Sequence, residues 1–98
     1  MIQQMVMIVY NEAIDLEVME ALSSCGLKNY TKVCGVFGRG ETSGSHLGNH
    51  IWPEKNNILY VACSPVEANN LLNVVNNLRH DMGKEGVKAF VWELLQSS

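Results

Sequence analysis

Cysteine is scarce in this 98-residue chain: there are three, Cys25, Cys34 and Cys63, and no two form a C-x-x-C pair. An odd, scattered set of thiols argues against a disulfide-stapled secreted scaffold and fits a reducing compartment. Proline is nearly absent, with two residues, and only 17% of the chain is charged, so no segment has the composition of a disordered tract. Seven Lys and Arg against ten Asp and Glu give a formal charge of -3 without any basic run. The electrostatic footprint of a nucleic-acid binder is therefore missing. No stretch nears the roughly 20 apolar residues that span a bilayer, and no basic segment precedes an apolar core at the N-terminus. These absences predict a cytoplasmic protein that does not itself cross a membrane.

What is present suits a packed core. Apolar residues make up 47% of the sequence, and the length fits one domain, residues 1–98. A chain of this size buries only about two-thirds of its unfolded surface, so association with further copies is a natural supplement.

The run Met5-Val6-Met7-Ile8-Val9-Tyr10 reads as a strand covered on both faces or held at a sheet centre. From Ile14 the period turns helical. Ile14, Val18, Ala21, Leu22 and Cys25 share one side, Glu17, Glu20 and Ser24 the other, and Gly26 is placed to stop the helix. Residues 30–37 and 57–63 read as strands. Ser64-Pro65-Val66-Glu67 is the clearest start signal: a capping serine, a proline at the first helical position, and a glutamate completing a capping box.

The stripe Ala68, Leu71, Leu72, Val75, Leu78 and Met82 predicts the buried side of this second helix, with Gly83 at its end. Asn69, Asn70, Asn73, Asn76 and Asn77 fall on the outer side. The last strand spans 87–93, with Ala89 and Val91 on one face and Lys88, Phe90 and Trp92 on the other. Cys34 and Cys63 lie in apolar runs and are expected in the core, as are Met5, Met7 and Met19.

The order β-α-β-β-α-β predicts an α+β, ferredoxin-like fold: a four-stranded antiparallel sheet with both helices on one face. The other face, carrying Tyr60, Phe90 and Trp92, then needs a partner, and subunit association is the simplest.

Five of the eight glycines fall within Gly35–Gly48, in a hairpin connection of about 38–56. Hairpin loops usually take two to five residues, and long ones tend to carry function. Glycines let main-chain N–H groups approach an anion closely, and Arg39 between Gly38 and Gly40 can meet one bidentately. No GK[ST] follows, so this is not a Walker motif. A second segment, Gly83-Lys84-Glu85-Gly86-Val87-Lys88, supplies two further cations. No nucleophile, histidine and carboxylate fall at recognisable spacing, and no paired acids sit in an apolar run, so the chain is not expected to be an enzyme.

Three segments, in order along the chain, resemble the nitrogen-regulatory PII superfamily. Val18-Met19-Glu20-Ala21-Leu22 is similar to its V-K-E-A-L, and Gly35-Val36-Phe37-Gly38-Arg39 to its G-x-G-R entry into the T-loop. Gly83-Lys84-Glu85-Gly86-Val87-Lys88-Ala89-Phe90-Val91 is similar to its B-loop G-K-x-G-x-G-K-x-F-V, shortened by one residue. The resemblance covers essentially the whole chain and marks a divergent, PII-like signalling protein with a short T-loop.

It implies a homotrimer with a small anionic ligand, an adenine nucleotide in the best-known members, held between subunits. It also implies a T-loop that signals to a transporter or enzyme. Carried over by position, Gly35, Gly38, Arg39 and Gly40 stand at the T-loop entry, and Gly83, Lys84, Gly86 and Lys88 form the phosphate cradle. The connection lacks a tyrosine, so uridylylation is not expected. Gly40 replaces the glutamine that follows G-R in many members, and the family's C-terminal arginines have no counterpart up to Ser98.

The alternative is a divalent transition-metal site. His46 and His50 are spaced H-x-x-x-H, and the similarly folded CutA proteins are linked to metal tolerance. Two imidazoles need a third ligand from elsewhere, and the residues between them read as irregular loop rather than helix.

Overall fold

The computed structural model describes residues 2–38, 55–82 and 86–98. Strand β1 is Gln4–Asn11 and leads through a 3-10 turn, Glu12–Ile14, into helix α1, Asp15–Ser24. Strands β2 (Thr31–Phe37) and β3 (Lys55–Cys63) form the long hairpin; helix α2 (Pro65–Met82) and strand β4 (Val87–Glu93) complete the fold. The sheet order is β2-β3-β1-β4, with every neighbouring pair antiparallel. This is the α+β, ferredoxin-like arrangement that the sequence predicts.

Alternation decides which side chains meet the helices. Val6, Ile8 and Tyr10 of β1, Leu59, Val61 and Cys63 of β3, and Val87 of β4 are buried. They form one core with Val18 and Leu22 of α1 and Ala68, Leu71 and Val75 of α2. Both helices therefore lie on one side of the sheet. Leu78, Ala89 and Val91 pack at the margin of this core. The Met82 side chain lies outside the described residues.

The local signals act as the sequence predicts. The Glu67 N–H donates to Ser64 Oγ (3.2 Å) and the Ser64 N–H to Glu67 Oε1 (3.0 Å), a reciprocal capping box. The Ser64 backbone N–H foremost, then the Ser64 side chain, holds the Glu67 carboxyl below its ordinary range. Gly26 follows α1 with φ 74°, the left-handed conformation that closes helices. All five asparagines of α2 singled out above are exposed.

Four expectations need correction. Cys34 is exposed rather than in the core: Val33 pairs with Ile58 and Val36 with Asn56, so Cys34 and Gly35 together stand opposite Asn57 in a β-bulge on an edge strand. Met5 and Met7 are half-buried on the helix-free face, alternate to Val6 and Ile8. Glu17 is half-buried, and its Oε2 is enclosed without a hydrogen-bond partner among the described residues. Strand β3 begins at Lys55, ahead of the expected start, because Lys55 and Asn56 extend the ladder opposite Phe37 and Val36. Their polar side chains read as loop in the sequence.

The helix-free face has its own rows. Met7 lies between Tyr60 and Phe90, Met5 between Ala62 and Trp92, and Val9 between Ile58 and Lys88. Phe90 and Trp92 remain 44% and 43% exposed. Among the described residues, no helix is long and apolar enough to cross a membrane.

Candidate functional site

Both glycine-rich segments leave from the same end of the sheet. Tyr10, near the end of β1, pairs with Asn57 near the start of β3 and with Val87 at the start of β4; Phe37, the end of β2, pairs with Lys55. Since β2 and β4 are the two edges, the entry to the long connection and the entry to β4 lie three strand spacings apart, roughly 14 Å.

The residues proposed from the sequence fall at this end as follows. Gly35 occupies the bulge with φ 68°, a conformation that L side chains rarely adopt. Gly38 follows β2, and a Cβ there would collide with the Asn56 carboxamide. Gly86 accepts the Asn11 N–H through its carbonyl (2.9 Å), which ties the approach to β4 onto the end of β1. Lys88 sits on the helix-free face with its ammonium 5.5 Å from the Phe90 ring centroid. Arg39, Gly40, Gly83, Lys84, His46 and His50 lie outside the described residues. No group of three His, Cys, Asp or Glu side chains among the described residues is placed to hold a metal ion.

Beside the bulge stands a polar cluster that sequence reasoning missed. Asp15 Oδ1 accepts from Tyr10 Oη at 2.5 Å and from Asn57 Nδ2 at 3.2 Å, and pairs with Lys32 Nζ at 2.6 Å. Asn57 is the buried polar residue of the described chain, and its Oδ1 accepts the Gly35 N–H at 3.1 Å. Three donors converging on one oxygen favour the ionised carboxylate. Lys32 foremost, then Tyr10, holds the Asp15 carboxyl below its ordinary value, and Asp15 raises Lys32 in turn. Burial, followed by the Asp15 bond, pushes the Tyr10 hydroxyl well above its ordinary value, so it remains a donor.

At the other edge, Arg79 Nη1 donates to the Val87 carbonyl (2.7 Å) and fastens the last turn of α2 to the start of β4. In the sequence, Asp15 and Lys32 read as ordinary polar positions of a helix start and a strand. The available signal was Asn57, an amide opening an otherwise apolar strand.

No family model matches this chain, and no curated protein matches it by sequence. Solved structures do share its fold. CPII from Thiomonas intermedia K12, a nitrogen regulatory PII-like protein solved with ADP, AMP and bicarbonate, superposes with a TM-score of 0.71 at 18% identity, covering 94% of this chain and 85% of that one. The apo form of CPII gives 0.68 at 15% identity, over 94% and 88%. A candidate PII-like signalling protein from Thermus thermophilus gives 0.60 at 22% identity, over 94% and 85%. The chain thus has the PII-like fold, as its segment order suggested.

Proposed function

We propose that the protein is a non-catalytic, trimeric PII-like sensor that binds a small anion, an adenine nucleotide, between subunits. The observation that carries this reading is the placement of the two glycine-rich segments at one end of the sheet but on opposite edges. Their described entries lie on opposite edges of one chain, and packing the helix-free faces of neighbouring copies would bring the β2 edge of one towards the β4 edge of the next. The adenine nucleotides in the CPII structures support the choice of ligand.

In this site Gly35, Gly38 and Gly40 give the T-loop entry its close backbone approach, and Arg39 supplies charge. Gly83, Lys84, Gly86 and Lys88 form the cradle from the neighbouring copy. Lys88 would leave the Phe90 ring to reach a phosphate, a contact worth about 0.5–1 kcal/mol at an exposed site. Ligand binding then biases the connection towards the conformation that a transporter or enzyme recognises, provided the ligand prefers that state. Calorimetric titration with ADP, AMP and ATP tests the reading. Binding should be lost in Arg39→Ala/Lys88→Ala while the trimer persists, and undiminished binding in that variant would remove the proposed site.

A further inference from the structure

The polar cluster has a direction built into its chemistry. Asn57 gives Nδ2 to Asp15 Oδ1 and takes the Gly35 N–H on its own Oδ1. A carboxylate cannot donate and a backbone N–H cannot accept, so only one orientation of the carboxamide satisfies both neighbours. Asn57 is 5% exposed, which leaves little water to compensate for the wrong orientation. Asp15 and the Gly35 N–H thus hold the two ends of the Asn57 carboxamide in a single orientation.

We infer that Asp15 and Asn57 form a relay that couples the first turn of α1 to the β-bulge at Gly35, so that the Asp15 acceptor, through Asn57, fixes the course on which β2 leaves the sheet. Tyr10 from β1 and Lys32 from β2 hold Asp15 ionised and in place. Removing the Asp15 side chain takes away the acceptor of Asn57 Nδ2. The Asn57 carboxamide is then held at one end only and can shift, and a turned amide would present Nδ2 to the Gly35 N–H, donor against donor. The bulge loses its side-chain bond, although its glycine still tolerates φ 68°. Gly38, whose Cα lies against Asn56, follows a few residues on. The relay stands on these contacts alone and is independent of whether the protein binds a nucleotide.

Amide hydrogen exchange in the ligand-free protein tests it. In the unmodified chain the Gly35 amide should exchange at least tenfold more slowly than an unstructured glycine. Asp15→Ala should speed Gly35 exchange about tenfold while amides of the β1–β3 ladder keep their protection. Lys32→Met leaves the carboxylate in place and should change Gly35 exchange less than threefold. An unprotected Gly35 in the unmodified chain would overturn the relay. So would Gly35 protection unchanged in Asp15→Ala, lost only in step with the whole ladder, or lost equally in Lys32→Met.

Discussion

The two faces of one sheet are made by the same strands and end in different states. On the helix side, Val6, Ile8, Leu59, Val61 and Val87 are almost wholly buried against α1 and α2. On the other side, Met5, Met7, Tyr60, Phe90 and Trp92 are set out in rows with no helix of the described residues over them. Strand alternation alone separates these sets, so the unfinished face follows from the sequence rather than from loose packing. One face builds the domain; the other is where the proposed trimer would pack. The proposed ligand site depends on that second step, because the described entries to the two glycine-rich segments stand on opposite edges of the sheet.

The comparison is broken most severely by charging the open face. Phe90→Asp/Trp92→Asp should convert the proposed trimer to a monomer with its circular-dichroism spectrum retained, and sedimentation velocity checks this. Leu59→Ala attacks the helix side. It should cost about 2–5 kcal/mol in chemical denaturation, the range for a large-to-small change in a core. Tyr10→Phe removes a bond to a charged acceptor at the rim of that core. Its cost should be roughly 1.5–3 kcal/mol by the same assay. Ser64→Ala removes the cap of α2 and should cost about 1 kcal/mol.

The smallest effect concerns pH. The Asp15 carboxyl lies below its ordinary value of 3.8 in the folded chain, so its stabilisation is present above that value and fades as pH falls through the lower folded one. Lys32 is raised above 10.5, so its share is present below that value and is lost as pH rises through the folded one. Denaturation midpoints measured across pH should show the Asp15-dependent change at the acid limb in the unmodified chain but not in Asp15→Asn.

Local signals made much of this legible in advance. The Ser64–Glu67 box, the apolar stripe of α2 with its asparagines outside, and the alternation of β4 each depend on residues a few positions apart. The structure reproduces the box and the alternation of β4, and of the stripe it buries Ala68, Leu71 and Val75 with Leu78 at the margin. The polar cluster depends on pairs 5 and 42 residues apart, Tyr10 with Asp15 and Asn57 with Asp15, and only the folded topology brings them together. Cys34 was misplaced for a related reason: a bulge changes which way side chains point, and the apolar neighbours Val33 and Val36 give no sign of it. The Arg79 bond to the Val87 carbonyl was equally invisible, since its acceptor belongs to the backbone.

The central claim is that the helix-free face is covered by further copies of the same chain. Light scattering of the purified, ligand-free protein at micromolar concentration measures this directly. The account predicts three times the mass of one chain. A monomer mass would contradict it and would remove the proposed site between copies.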